Sequence, residues 1–216
     1  MTTIDHVFPT TIYRARLFPR GTAARNEALA ALAMSLGQDD EAGLSWSEAH
    51  DYGGYTSYAS LNDLPWRFPE FQALKDALDV HVAAFADAVH FDLGGDVLAL
   101  DSLWVNLLAP GGHHAAHLHP HSVVSGTYYV SLPKGTNAIR FEDPRHAMMM
   151  AAPQRRASAP SAHRPFLTVK PKAGDVLLWE SWLRHDVPTN ESDELRISVS
   201  FNYGLGRGPT AEGRDA

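Results

Sequence analysis

The sequence contains no cysteine. That absence excludes a disulfide framework, a thiolate zinc site, an iron–sulfur cluster and a cysteine nucleophile, so any metal must be held by His, Asp or Glu. No run of about 18 apolar residues occurs either, and so no stretch reads as a membrane-spanning helix. The opening MTTIDHVFPTTIYRARLFP carries Asp5 and Arg14 among short apolar pairs. It lacks the apolar core of roughly 7–15 residues that a secretory signal needs. Basic runs are also missing. Against 25 Asp+Glu there are 18 Lys+Arg, a formal net charge of −7, and no window gathers the positive charge that a phosphate backbone recruits. A soluble, cytoplasmic protein without a nucleic-acid or membrane partner is expected.

What is present in excess is histidine. There are 12, and five of them fall in the nine residues His113 to His121. The rest is ordinary: 216 residues, 44% hydrophobic and 20% charged, suit one large globular domain.

Along the chain, residues 7–18 read as a first strand between Pro9 and Pro19. TAARNEALAALAMSL (22–36) has apolar residues at helical spacing and meets Gly37, a common stop. The polar stretch that follows, up to Pro65, reads as an ordered loop region with at most one short strand. A second helix over about 67–90 places Phe71, Leu74, Leu78, Val82 and Phe85 on one face. From residue 96 the period falls to two, with strand candidates at 97–110, 122–132, 137–143, 166–170, 174–180 and 194–203. Strands gathered after helices favour antiparallel sheets, and the expected fold is mainly β with flanking helices, a double-stranded β-helix or cupin-like jelly roll. The domain is expected to span 1–204, with helical support at about 20–92, a jelly-roll core at about 96–204 and a flexible tail at 205–216. Segment 146–165 has no period and is expected to be a long mobile loop bordering the site.

The histidine cluster reads GGHHAAHLHPHSVVSGTYYV. In extended backbone His117 and His119 share a face about 7 Å apart, a spacing that can grip one ion. His113 and His114 follow two glycines and read as loop residues, and Pro120 interrupts a strand before His121. The best third ligand is His185, at a strand end in GDVLLWESWLRHDVPTN. In RISVSFN, Arg196, Ser198, Ser200 and Asn202 fall on one face and Ile197, Val199 and Phe201 on the other. An arginine on the inner face of a barrel calls for an anion. Ser125, Thr127, Tyr129 and Ser131 make a second polar face, and Trp104 and Asn106 share a side of a third strand. Polar faces on several strands indicate a ligand cavity. Plainer readings remain beside these: Arg196 paired at the surface with Asp193 or Glu194, Tyr129, Trp179 and Trp182 as packing, Asp143 and Arg145 as an ion pair, Met148 to Met150 as an apolar loop patch.

The succession WVN, HLHPHSVVSGTYYV, FEDPR, GDVLLWESWLRHDVP, ELRISVSFNY resembles the iron(II)/2-oxoglutarate-dependent dioxygenases. More narrowly, it is similar to a bacterial and phage group of 2-oxoglutarate/Fe(II) oxygenases related to prolyl hydroxylases, over roughly residues 100–203, with FPTTIY like that group's start. The resemblance implies an iron site of His117, His119 and His185, catalytic through the metal, with 2-oxoglutarate as cosubstrate. It implies that Arg196 holds the far carboxylate of 2-oxoglutarate and that Tyr129 touches the cosubstrate, with Asn106 and Ser198 in the same pocket. The expected reaction hydroxylates a peptidyl or small-molecule substrate with dioxygen, releasing succinate and carbon dioxide.

One position departs from the family. His119 stands where the family's H-x-(D/E)…H triad has its carboxylate, which keeps three ligands but leaves the first shell neutral and the complex one charge more positive. Such a site holds iron less firmly or raises its potential. A three-His set also resembles cupin-type thiol dioxygenases, which use no 2-oxoglutarate, and the three-His zinc of hydrolytic enzymes. A non-catalytic metal-binding barrel is a further alternative.

Overall fold

A computed structural model describes residues 2–136 and 139–207. The elements in chain order are β1 (Ile12–Arg16), α1 (Thr22–Asp39), α2 (Glu41–Ala49), β2 (Gly54–Thr56), α3 (Leu64–Arg67), α4 (Pro69–Ala88), β3 (Val97–Leu108), β4 (His114–His117), β5 (Val124–Ser131), β6 (Ile139–Glu142), β7 (Phe166–Val169), β8 (Asp175–Glu180), β9 (His185–Val187) and β10 (Arg196–Gly206). Among the described residues ten strands form two sheets, ordered β1-β8-β5-β10-β3-β2 and β4-β9-β6-β7, and every pairing between them is antiparallel. The double-stranded β-helix with helices on one side, expected from the switch in period, is what the chain adopts.

Alternation along the strands of the large sheet divides its two faces. Leu103, Val105 and Leu107 of β3, Tyr128 and Val130 of β5, and Ile197, Val199 and Phe201 of β10 turn to the helices. There they meet Leu29 and Ala33 of α1 and Phe71, Leu74, Leu78, Val82 and Phe85 of α4 in one apolar core. Each such side chain contributes roughly 1.5–3 kcal/mol by leaving water, which is why the helices lie flat on this face. The opposite face carries Tyr129, Leu177 and Trp179, which pack with Ile139, Phe141 and Leu183 at one end of the interior. The remainder of that face is polar and bounds a cavity.

The structure corrects several boundaries. Strand β1 is shorter than 7–18, beginning only at Ile12. Helix α1 passes through Gly37 to Asp39; a Cβ at Gly37 would come within 2.6 Å of Leu107 Cδ1, so this glycine lets the helix approach β3 rather than ending it. The stretch expected to be loop contains α2, capped by Asp40, whose carboxylate accepts the Gly43 N–H at 3.0 Å. Its glycine and serines depress helix propensity, but Gly43 and Ser47 are buried and packing outweighs the deficit. The extended backbone expected at His117 is strand β4 and the strand end expected at His185 opens β9, neither with bounds among the strand candidates, and His114, expected in a loop, opens β4. Strand β10 runs to Gly206, so Leu205 and Gly206 belong to the sheet rather than to a tail. The expected tail beyond Arg207, and residues 137 and 138 of the strand expected at 137–143, lie outside the described residues. Segment 146–165 is irregular apart from single 3-10 turns at His146–Met148 and Ser161–His163. It does not border the histidine cavity; its residues face the N-terminal segment around His6 and the Asp143–Arg145 ion pair.

Candidate metal centre

Strands β4 and β9 of the small sheet are held in register with His117 opposite His185. That cross-strand pairing brings their ring centroids to 4.4 Å. The chain leaves the strand after His117, and the backbone N–H of His119 donates to the Ser181 carbonyl at 3.1 Å. So anchored, the His119 ring lies 5.1 Å from that of His117 and 5.2 Å from that of His185. One nitrogen from each of the three imidazoles lies within 4.8 Å of the others, and among the described residues no other group of His, Asp or Glu gathers in this way. The shared face expected of a continuous strand is thus achieved by a strand end and an anchored turn.

Tautomers are set by the backbone. His117 Nδ1 lies 2.7 Å from the Ala115 carbonyl and His185 Nδ1 2.9 Å from the Leu183 carbonyl. A carbonyl can only accept, so each Nδ1 carries the proton and each Nε2 keeps its lone pair for a metal. Burial pushes His185 down to about 3, helped by the neighbouring His117, and burial and His117 push His119 down to about 4. Both rings are therefore neutral at physiological pH, the state in which imidazole ligates. The donor set suits a divalent transition ion.

The three rings face a cavity of about 960 Å³ between the sheets. Arg196, Ser198, Ser200 and Asn202 of β10, Thr127 and Tyr129 of β5, and Trp104 and Asn106 of β3 all line it. The alternation read from these strands places its polar members here and its apolar members in the helix-side core. Arg196 is 2% exposed, which removes the reading of a surface partner for Asp193 or Glu194. Its Nη1 donates to Ser198 Oγ at 3.2 Å, and its guanidinium carbon lies 5.4 Å from the centre of the Tyr129 ring. Burial lowers its pKa, an effect opposed by the phenols of Tyr129 and Tyr52. The same burial raises the Tyr129 hydroxyl to about 12, with Arg196 pulling the other way. A guanidinium kept from water in this way strongly favours an anion beside it.

Asn106 is buried in a network. Its Oδ1 accepts from Thr56 Oγ1 at 3.0 Å and from Tyr52 Oη at 3.3 Å, and its Nδ2 donates to Ser200 Oγ at 3.1 Å. Tyr52 Oη also bonds His114 Nε2. The cavity residues Tyr52, Thr56 and His114, together with Trp46 and Tyr58, were missed in the sequence. Four of the five come from the segment that read as an ordered loop region with at most one short strand, and only His114, in the histidine run, carried a usable signal. Trp179, expected to pack, both fills the core and meets the His185 ring at 4.7 Å.

Residues 102–202 match a protein family described as "Putative 2OG-Fe(II) oxygenase", which bears out the resemblance drawn from the motifs. Similar solved structures include the α-ketoglutarate-dependent epimerase SnoN of nogalamycin biosynthesis, 18% identical over 94% of this chain and 80% of that one, with a TM-score of 0.61. A prolyl-4-hydroxylase from Pseudomonas putida is 15% identical over 90% of this chain and 88% of its own, with a TM-score of 0.56. HygX from Streptomyces hygroscopicus, solved with nickel and 2-oxoglutarate bound, is 16% identical over 96% and 90%, with a TM-score of 0.58. At these identities the likeness is one of fold. No curated protein matches the chain.

Proposed function

We propose that this chain, whose residues 102–202 match the 2OG-Fe(II) oxygenase family, is an iron(II)- and 2-oxoglutarate-dependent oxygenase. The observation that carries the reading is one cavity that holds both the three-imidazole cluster and the buried Arg196. His117, His119 and His185 would hold the iron, and three ligands leave positions open for a chelating cosubstrate and dioxygen. When bound, Fe(II) with 2-oxoglutarate and dioxygen supplies the oxidising power, with succinate and carbon dioxide as coproducts. The work of the chain is placement and exclusion of water. Arg196 pairs with the far carboxylate of 2-oxoglutarate through a charge-assisted hydrogen bond, oriented by Ser198. Tyr129, a buried phenol beside Arg196 whose hydroxyl carries its proton at neutral pH, donates to the same carboxylate. Asn106, tied by Thr56 and Ser200, fixes the wall beside them.

Hydroxylation of a peptidyl or small-molecule substrate is the outcome we assign. Fold neighbours that include an epimerase and a carbocyclase make the fate of the substrate a separate question from cosubstrate turnover. A second reading has one observation in its favour: the cluster contains no carboxylate, as in metalloenzymes that work without 2-oxoglutarate. The deciding experiment adds Fe(II) and 2-oxoglutarate to purified protein in air and measures succinate. Succinate formation that stops on iron removal supports the oxygenase. Metal binding without any 2-oxoglutarate binding supports the second reading.

A further inference from the structure

The end of the cavity nearest α2 has a chemical character of its own. From α2 to the metal centre the wall is a continuous run of aromatic rings: Trp46 lies 5.9 Å from Tyr58, Tyr58 lies 5.1 Å edge-on to Trp104, and Trp104 lies 5.9 Å from the His119 ring. Tyr58 is 56% exposed and Leu118, on the same cavity, is 44% exposed. Large apolar side chains left open to water at the mouth of a cavity mark a surface that a ligand covers. Two carboxylates, Asp51 and Asp101, line the same cavity, and among its described lining residues Arg196 is the one Lys or Arg. Arg196 lies buried on β10, beside Tyr129 and Ser198.

We infer that the substrate is a small ring-bearing organic cation, such as a cyclic or aromatic amine. Its ring lies on the Trp46–Tyr58–Trp104 wall and its charge is drawn into the cavity by the two carboxylates of the described lining, Asp51 and Asp101. The negative faces of the rings attract a cation, the carboxylates add to that attraction, and the net charge of −7 favours its approach. An anionic substrate would meet these carboxylates with no Lys or Arg among the described lining residues beyond the one assigned to the cosubstrate. Because the aromatic run ends at His119, a ring on the wall presents one end to the metal. What is done to that ring rests on the oxygenase reading; the recognition of it does not.

The test therefore measures binding in metal-free protein, with neither iron nor oxygen required. Titration calorimetry compares 2-phenylethylamine, a cation, with 2-phenylethanol, which has the same shape and no charge. The amine is expected to bind at least about threefold more tightly. Tyr58→Ala should weaken both probes by about two- to fivefold, since it removes ring contact. Asp51→Asn combined with Asp101→Asn should erase the advantage of the amine and leave the alcohol unchanged. Asn tolerates the positive φ of 51° at position 51, so the fold is not at issue there. Equal or tighter binding of the alcohol overturns the inference, as does a Tyr58→Ala variant that binds both probes like the parent. Failure of succinate formation with these results intact would remove the oxygenase reading and leave the recognition surface standing.

Discussion

His117 and His185 face each other across the β4–β9 ladder with their rings 4.4 Å apart, each Nδ1 bonded to a carbonyl two residues before it in the chain. The candidate metal site is thus assembled by sheet register, and it depends on both strands being formed.

Removing either ring should empty the site. His117→Ala and His185→Ala are each expected to lower metal affinity by more than about 100-fold, since even changes behind a ligand cost about 10- to 100-fold. Metal content after dialysis against a buffered Fe(II) or Ni(II) solution reads this directly. His119→Asp supplies the carboxylate of the H-x-(D/E)…H pattern that these motifs resemble, so it should retain metal where His119→Ala does not. A His119→Asp protein that binds no metal would show that position 119 does not face the ion.

Arg196→Ala should leave metal content near that of the parent while weakening 2-oxoglutarate by at least about 30-fold, or about 2 kcal/mol, the lower end for truncating one member of a buried charged pair. Arg196→Lys keeps a charge without the planar fork and should fall between the two. Calorimetric titration of 2-oxoglutarate into Ni(II)-loaded protein makes the comparison. Loss of metal with cosubstrate affinity intact would reverse the assignment.

Gly126 of β5 has no room for a side chain. A Cβ there would lie 2.4 Å from Phe201 Cζ and 2.7 Å from the Leu177 carbonyl oxygen, and the latter is backbone that cannot swing aside. Gly126→Ala should cost about 1–3 kcal/mol by overpacking, seen as a lower urea midpoint at unchanged slope.

Asp40 ties α2 to the strand that follows it. Its carboxylate accepts from the Gly43 N–H, from Tyr55 Oη at 2.8 Å and from Ser60 Oγ. Burial alone would raise its pKa, but these hydrogen bonds outweigh it and the value falls below the ordinary one. A carboxylate with a lowered folded-state pKa stabilises fully above the unfolded value and loses that contribution as the pH drops through the folded one. Asp40→Ala should cost about 1 kcal/mol at neutral pH. Asp40→Asn should keep most of the cap there while flattening the loss of stability below the ordinary carboxylate range, measured by denaturation at a series of acidic pH values.

The parts of this protein that were legible beforehand share one property: a period carried by the side chains themselves. Alternation in 196–202 separated Arg196 and Ser198 from Ile197 and Val199, and the structure puts the first pair in the cavity and the second against the helices. The spacing of Phe71, Leu74, Leu78, Val82 and Phe85 named the buried face of α4 in the same way. Helix α2 carried no such pattern, because Gly43 and Ser47 are its buried residues and neither is apolar enough to register. With α2 went Trp46, and with the neighbouring loop Tyr52 and Tyr58, which meet the cavity only because β2 pairs with β3 and brings Thr56 beside Asn106.

Local chemistry along the chain therefore determined which faces are buried, that any metal would be held without thiolates, and that His117, His119, His185 and Arg196 were the residues to bring together. It could not determine that they meet. His117 and His185 are far apart in sequence, and their approach follows from the register of two short strands whose pairing is set by the sheets around them. The aromatic wall was decided in the same way, because contacts between distant segments depend on how elements pack and leave no period in the sequence.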